Sequence, residues 1–267
     1  MAKSGKQRIV VKVGTSTLTR DNGAMNLHNM DHLARALSDL QGMGHEIILV
    51  SSGAIGVGTG KLGLSERPRE LRMKQAAAAV GQCELMHLYD KFFGEYGHTV
   101  AQILLTGEDV EDSVRSEHLA NTFSALLELG CIPVVNENDS VSSAEIETGK
   151  GKVLGDNDTL SAIVARLCKA DLLILLSDIN GLYNADPHKD PAAVLIERVE
   201  EITPELAAMA GGAGTWRGTG GMATKLSAAA IAMEAGIDMV ITNGANMEGL
   251  YDIVDGKSVG TRFCAGR

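Results

Sequence analysis

The stretch DNDTLSAIVARLCKADLLILLSD, residues 156–178, carries most of the evidence for the fold of this chain. Apolar residues at helical spacing over Leu160–Cys168 are followed closely by Leu172–Leu176, which reads LLILL without any polar alternation. A strand with no alternation is buried on both faces, as strands of parallel sheets are. The stretch therefore predicts a helix that packs against a parallel sheet.

The same succession of strand and helix continues in both directions along the chain. Short apolar runs predict further strands at Arg8–Val13, Glu46–Val50, Thr99–Leu105, Ile132–Asn136 and Asp238–Thr242. Patterns of three- and four-residue spacing predict helices at Leu27–Met43, Leu71–Tyr96, Leu119–Leu129 and Met222–Ala235. Strands that alternate with helices form right-handed βαβ units. We predict an α/β fold, a three-layer α/β/α sandwich with a mostly parallel central sheet.

Composition narrows the class of protein. The 267 residues include 34 acidic and 24 basic side chains, a net charge of −10, which argues against a nucleic-acid or membrane-surface partner. The N-terminal MAKSGKQR runs directly into a strand, and no apolar run is long enough to span a membrane. Cys83, Cys131, Cys168 and Cys264 are widely spaced, as is usual for free thiols in a reduced compartment. We predict a cytoplasmic protein.

The loops that follow the strands hold the residues with chemistry, since ligands of such sheets bind at the carboxyl ends of the strands. Lys12 precedes the turn at Gly14, and Ser52 and Gly53 follow the second strand. A lysine beside a glycine turn can direct its ammonium group at a phosphate that backbone N–H groups also contact. An edge-strand lysine that faces solvent is the alternative.

Two polar loops come next in the chain. One contains Asp139 within NEND, and the other contains the cluster Asp156, Asn157 and Asp158 at the start of a helix. Such side chains commonly cap helices and form turns. Three in succession exceed what one cap requires, and together they could hold an ammonium group, orient lysines or help to position Mg²⁺.

Glycine-rich segments give one strong signal and one weak signal. GTGGMATK, residues 218–225, places three glycines before a helix that presents Lys225, an arrangement that suits phosphate although it is not a Walker A loop. Residues 58–63 match GxGxxG, but they lie too far beyond the second strand for a dinucleotide fingerprint. We interpret that match as chance or a flexible loop, which disfavours an NAD-dependent dehydrogenase.

Six segments in order resemble the glutamate 5-kinases, a branch of the amino-acid kinase family. They are KVGTS, SSGA, NENDSVSSAEI, GDNDTLSA, LLSDINGLYNADP and GTGGMATK, and the resemblance covers Ile9 to Phe263. It implies the amino-acid kinase type of sandwich and transfer of the γ-phosphoryl group of ATP, with Mg²⁺, to the side-chain carboxylate of L-glutamate. That reaction is the first step of proline biosynthesis.

The resemblance also implies roles for individual residues. Lys12 and Lys225 would contact the transferring phosphate and Asp158 would orient them. Ser52, Asp139 and Asn157 would bind glutamate, with Asp156 in the same cluster. The ATP-binding positions would be Lys12, Ser177, Asp178, Thr219, Gly220, Gly221, Met222, Ala223, Thr224 and Lys225. No side chain is assigned as a direct metal ligand. A homo-oligomer, dimer or tetramer, and a glutamyl-phosphate reductase that receives the product are the implied partners.

The chain departs from the family pattern in two places. ETGKGKVL, residues 147–154, is longer than the usual connector and predicts a flap near the glutamate site. Many members continue beyond the position of Arg267 into a PUA domain, so we expect residues 1–267 to form a single amino-acid kinase domain without one. A kinase for acetylglutamate or aspartate, and a non-catalytic sensor of ATP or an amino acid, are the alternative functions.

Overall fold

The computed structural model describes residues 5–20, 24–142, 156–187, 189–211 and 221–266. The strands are β1 (Arg8–Val13), β2 (Glu46–Ser51), β3 (Val100–Leu105), β4 (Ile132–Glu137), β5 (Leu172–Ser177), β6 (Arg198–Val199), β7 (Asp238–Asn243) and β8 (Thr261–Phe263). The helices are α1 (Thr15–Leu18), α2 (Leu27–Gly42), α3 (Ala54–Lys61), α4 (Leu71–Glu95), α5 (Gly107–Glu111), α6 (Ser113–Glu128), α7 (Asn157–Leu167), α8 (Pro204–Gly211), α9 (Met222–Glu234) and α10 (Gly249–Val254).

One sheet organises the described part of the chain. Its eight strands lie in the order β3-β4-β2-β1-β5-β7-β8-β6. The strand pairs are parallel, apart from the antiparallel pair β7–β8. The predicted mostly parallel sheet is therefore confirmed, and β1 lies at its centre between β2 and β5.

Two apolar cores, one on each face of the sheet, make the fold three-layered. Val10 and its neighbours face a core shared with α6, α7 and α9. Val11 and its neighbours face a second core shared with α2, α4 and α10. Side chains that alternate between the two faces are the expected result of a strand period of two residues. The predicted α/β/α sandwich is confirmed.

The predicted elements occur where the periodicity places them, with shifts mainly at their ends. Each strand predicted from an apolar run is present, and α2 ends before Gly44, whose φ of +98° suits glycine. Helix α7 begins at Asn157, earlier than the predicted Leu160, because the Asp156 side chain caps it. In the described residues, no helix is long and apolar enough to cross a membrane.

Of the two interpretations of the GxGxxG match at residues 58–63, chance or a flexible loop, the flexible loop is wrong. Gly58 lies within α3, and α3 packs against α4. A Cβ atom at position 58 would lie 1.8 Å from the Ala77 carbonyl oxygen, and one at Gly81 would lie 1.8 Å from the Ala54 carbonyl oxygen. Glycine is present here because two helix backbones touch, a tertiary requirement that the local sequence pattern does not reveal.

Candidate active site

A buried carboxylate, that of Asp158, lies between two buried lysines. Lys12 Nζ is 2.7 Å from Oδ1 and Lys225 Nζ is 3.0 Å from Oδ2. Lys12 is 8% exposed, Asp158 is 1% exposed and Lys225 is 5% exposed. Lys12 forms an ion pair with Oδ1, and Lys225 donates a hydrogen bond to Oδ2. Two positive charges thus share one negative charge, so the group retains a net positive charge.

The pKa of the Asp158 carboxyl is lowered despite its burial. Burial is the largest single influence and would raise the pKa, but the combined attraction of the Lys12 and Lys225 ammonium groups outweighs it. The Thr224 hydroxyl also donates to Oδ2 at 3.0 Å. Asp158 is therefore ionised at neutral pH and holds the two lysines in fixed positions.

The fold brings these three side chains together from distant parts of the chain. Side chains alternate along β1, so Lys12 points to the same face as Val10, which α7 and α9 cover. Asp158 lies in the first turn of α7 and Lys225 in the first turn of α9. An ideal Cβ on Gly14 would lie 3.6 Å from Lys12 Nζ, so the ammonium group lies beside the glycine turn. The solvent-facing alternative for Lys12 is wrong, because β1 is a central strand.

A second polar group gathers around the Asn157 amide. Its Nδ2 lies 2.9 Å from the Ser51 carbonyl oxygen, 2.8 Å from Ser52 Oγ and 3.1 Å from Asn136 Oδ1, so its two N–H groups are shared among three acceptors. Gly53, with φ of +99°, turns the chain from β2 into α3 beside Thr15. The predicted residues Ser52 and Asn157 are thus in direct contact, and Asn157 directly precedes Asp158 in α7.

The other predicted residues on this side occupy separate positions. Asp156 Oδ1 accepts from the backbone N–H groups of Asp158 and Thr159 at 2.7 and 3.0 Å, so it caps α7. Asp139 lies half-buried in the turn after β4. The structure links β4 to the cluster through Asn136, and the roles of Asp139 and Asp156 in binding substrate stay predictions.

The residues expected to bind ATP lie at the end of β5 and the start of α9. Ser177 ends β5 and donates to Asp178 Oδ1 at 3.1 Å, and the Asp178 side chain is exposed. Gly221 precedes α9, Met222 is buried and Ala223 is exposed at its start. Thr219 and Gly220 lie outside the described residues, as does the segment 147–154.

Sequence reasoning missed two residues behind this cluster, Gln82 and Tyr89. Asn136 Nδ2 donates to Gln82 Oε1 at 2.9 Å, and the Tyr89 and Ser51 hydroxyls are 2.8 Å apart. Burial raises the pKa of Tyr89, so its hydroxyl stays protonated. The signal was available for the strand residues, since Ser51 and Asn136 alternate toward the face that α4 covers, but nothing local identified Gln82 and Tyr89 as their partners.

Metal binding by protein groups alone has no support in the described part of the chain. No three His, Cys, Asp or Glu side chains are grouped there to hold a metal ion. Both Asp158 oxygens already face lysines. A Mg²⁺ ion that entered this site would be held largely by phosphate oxygens and water, as is common where the ion accompanies a nucleotide.

A sandwich with a phosphate-suited lysine pair at the strand ends defines a class of protein. The chain belongs to the amino acid kinase family, whose profile matches residues 7–243. Solved structures agree on the fold alone. An isopentenyl phosphate kinase of T. acidophilum superposes with a TM-score of 0.63 at 18% identity, covering 96% of this chain and 99% of the other. A UMP kinase from Bacillus anthracis gives 0.64 at 13% identity, covering 98% and 97%.

Within that family, this chain is similar to the glutamate 5-kinases. It is 55% identical over 264 residues to the glutamate 5-kinase of Clostridium perfringens, covering 99% of this chain and 97% of the relative. It is 59% identical over 259 residues to that of Clostridium tetani, covering 97% and 95%. The resemblance read from the six loop segments is confirmed at the level of whole chains.

Proposed function

We propose that this protein transfers the γ-phosphoryl group of ATP to the side-chain carboxylate of L-glutamate and releases glutamyl 5-phosphate and ADP. The observation that carries the proposal is the buried Lys12–Asp158–Lys225 group at the carboxyl ends of β1 and the amino ends of α7 and α9. Its net positive charge lies where both anionic substrates would meet. Similarity to glutamate 5-kinases over nearly the whole chain identifies the acceptor.

The reaction requires positioning and charge neutralisation more than acid–base chemistry. A glutamate carboxylate is ionised at neutral pH, so it can attack phosphorus without a general base. The transition state is loose and carries its charge on the phosphoryl oxygens. Lys12 and Lys225 would neutralise that charge and bring the two anions together, while Mg²⁺ would neutralise the phosphates from its place on ATP.

Asp158 would act by holding the lysines and not by touching the phosphoryl group. Its two oxygens each face one ammonium group, which fixes the separation of the two cations before substrates bind. Preorganised charge of this kind lowers a barrier because it needs no rearrangement during the reaction. Asp158 is therefore the proposed organiser, with Lys12 and Lys225 as the phosphate-contacting residues.

The two substrates would approach from opposite sides of this group. Glutamate would bind near Ser52, Asn157 and Asp139, with Asp156 supporting the start of α7. ATP would bind near Ser177, Asp178 and the segment from Thr219 to Lys225, where backbone N–H groups at the start of α9 suit phosphate. Two observations support this placement of ATP. The sequence before α9, residues 218–221, is rich in glycine, and Asp178 is exposed next to the pair formed by β5 and β7.

A hydroxamate assay tests the acceptor. The protein is incubated with ATP, Mg²⁺ and hydroxylamine, and acyl hydroxamate is measured with glutamate, aspartate or acetylglutamate as acceptor. We expect the hydroxamate with glutamate and far less with the other two. If more hydroxamate forms with aspartate or acetylglutamate, that acid and not glutamate is the substrate. If the protein binds ATP but forms no hydroxamate with any of the three acids, it is a sensor and not a kinase.

The product suggests a partner. An acyl phosphate hydrolyses readily, so direct transfer to a glutamyl-phosphate reductase would protect it. A homo-oligomer, dimer or tetramer, is the assembly that we propose for the enzyme itself. Sedimentation of the protein alone measures its oligomeric state, and sedimentation of its mixture with the reductase measures complex formation. A monomer would contradict the homo-oligomer, and failure to co-sediment would contradict the complex.

A further inference from the structure

The Asn136 side chain, at the end of β4, connects helix α4 to the proposed glutamate site. It is 2% exposed and uses both ends of its amide. Oδ1 accepts from the Glu137 backbone N–H at 2.9 Å and from Asn157 Nδ2 at 3.1 Å. Nδ2 donates to Gln82 Oε1 at 2.9 Å. The contacts form a relay that runs from Gln82 through Asn136 to Asn157 and Ser52.

Backbone groups fix the direction of every bond in this relay. The Glu137 N–H can only donate, so the oxygen of the Asn136 amide must face it. The Ser51 carbonyl can only accept, so the nitrogen of the Asn157 amide must face that carbonyl. The Asn136 Nδ2 group is thereby directed toward α4, and in this buried position it needs an acceptor. Gln82 Oε1 is that acceptor.

Gln82 lies where α4 packs closely against α3. Its neighbour Gly81 lies against the Ala54 carbonyl, at the point where α3 leaves the Ser52–Gly53 turn. Two helical turns further along α4, the Tyr89 hydroxyl contacts Ser51. The same helix therefore holds the ends of β2 and β4, from which Ser52 and Asn157 are positioned.

We propose that Gln82 is a positioning residue for the glutamate site, which acts through Asn136 on Asn157 and Ser52. This inference rests on the proposed function. Without an acceptor at position 82, the Asn136 amide would rotate to satisfy its nitrogen elsewhere and present the wrong group to Asn157. Binding of glutamate would weaken, whereas ATP, which lies on the other side of the lysine pair, would bind as before.

The test compares Gln82→Met with Gln82→Glu. Methionine keeps the shape but removes the acceptor, whereas glutamate at this position keeps an oxygen for Asn136. We expect Gln82→Met to raise the KM for glutamate about tenfold, the loss of roughly one hydrogen bond, with the KM for ATP unchanged. Gln82→Glu should restore the KM for glutamate to near the wild-type value.

Gln102→Ala is the matched control. Gln82 Nε2 donates to Gln102 Oε1 at 3.4 Å, so this variant removes the other hydrogen bond of the same side chain and leaves the relay intact. Its KM values should match the wild type. If Gln82→Met does not fold, as judged by its thermal unfolding, Gln82→Lys, which also lacks an acceptor, makes the same comparison.

The outcomes separate this inference from the proposed function. Wild-type protein that forms no glutamyl hydroxamate contradicts the function. Wild-type protein that is active with glutamate, while the variant without an acceptor has an unchanged KM, contradicts only the role of Gln82. An equal rise in both KM values, or a Gln82→Glu variant as impaired as Gln82→Met, would likewise assign Gln82 to structure alone.

Discussion

At the scale of single residues, Asp158 is the buried counterion of the two lysines in the proposed phosphate site. Two ammonium groups buried without a counterion would repel each other. Asp158 lies between them, 2.7 Å from Lys12 Nζ and 3.0 Å from Lys225 Nζ, and supplies that counterion. The remaining positive charge is available to an anion that enters from the strand ends.

Removal of one of these lysines should slow the chemical step. We expect Lys225→Ala to lower kcat by about 10²–10³, because one of the preorganised charges that face the transition state is lost. Steady-state kinetics with saturating glutamate and ATP measure the effect. Lys257→Ala is the control, since Lys257 forms an exposed ion pair with Asp252 and should leave kcat unchanged. Near-normal kcat in Lys225→Ala would remove Lys225 from the proposed mechanism.

The lowered pKa of Asp158 has a consequence for stability at acid pH. Because the folded-state pKa lies below the unfolded value, the stability from its charged form is complete at neutral pH and is lost as pH falls through the folded-state pKa. Asp158→Asn should lower the free energy of unfolding by about 3 kcal/mol at pH 7, since both lysines lose their counterion.

Urea unfolding of wild type and Asp158→Asn at several pH values provides the measurement. The difference between the two proteins should stay constant from pH 7 to pH 5 and shrink below about pH 4, where the aspartate carboxyl of the unfolded chain begins to take up a proton. A difference that disappears between pH 7 and pH 5 would mean that burial, and not the lysines, determines the pKa of Asp158.

At the scale of elements, the contact between α3 and α4 is set by two glycines. Gly58 and Gly81 each face the backbone of the other helix, and an added Cβ atom would overlap a carbonyl oxygen. The helices can therefore approach closely just where α3 leaves the Ser52–Gly53 turn. The position of the proposed glutamate site thus depends on helix packing as well as on strand order.

Alanine substitutions on α4 test this contact. Gly81→Ala should lower the free energy of unfolding by about 1–3 kcal/mol or more, because the helices must separate. Gly94→Ala on the same helix is the control, since nothing lies within 4 Å of its added Cβ atom. That control should be neutral or stabilising by about 0.5–1 kcal/mol. Equal effects of the two substitutions, measured by urea unfolding, would show that the helices do not touch at Gly81.

At the scale of the whole molecule, charge at the surface and charge in the site have opposite signs. The chain carries a net charge of −10, whereas the Lys12–Asp158–Lys225 group carries net positive charge. The net charge of the whole chain sets the long-range electrostatic force on a charged ligand, whereas the charges within the site set its binding at short range. Acidic composition therefore excludes a broad basic surface without excluding anionic substrates.

This separation predicts an unusual response to salt. Screening acts mainly over distances beyond about 10 Å at 0.1 M ionic strength, so it weakens repulsion by the acidic surface more than attraction by the buried lysines. The KM for ATP should stay constant or fall when NaCl is raised from about 10 to 100 mM, a range over which the Debye length falls from about 30 to 10 Å. A KM that rises several-fold would mean that exposed basic groups dominate binding.

Periodicity predicted most of the sheet because each strand and helix carries its own pattern. The runs at Arg8–Val13 and Leu172–Leu176 are apolar at every buried position except Lys12, so their strands follow from local sequence. Helix α3 was not among the helices predicted from periodicity, since its glycines lower its own helical signal and Gly58 is there for contact with α4. The antiparallel β8 is three residues long and carries too little pattern to be recognised.

The sequence by itself determined the α/β architecture and the acidic composition, and it pointed to Lys12, Asp158 and Lys225 as candidate site residues. It could do so because apolar periodicity and ordered motifs are local properties. The tertiary structure alone decided that Lys12 and Lys225 lie within 3.0 Å of the two Asp158 oxygens and that Gln82 satisfies Asn136. These contacts join residues far apart in the chain, or choose one hydrogen-bond partner among several. Only packing of the helices on the sheet fixes which groups come within bonding distance.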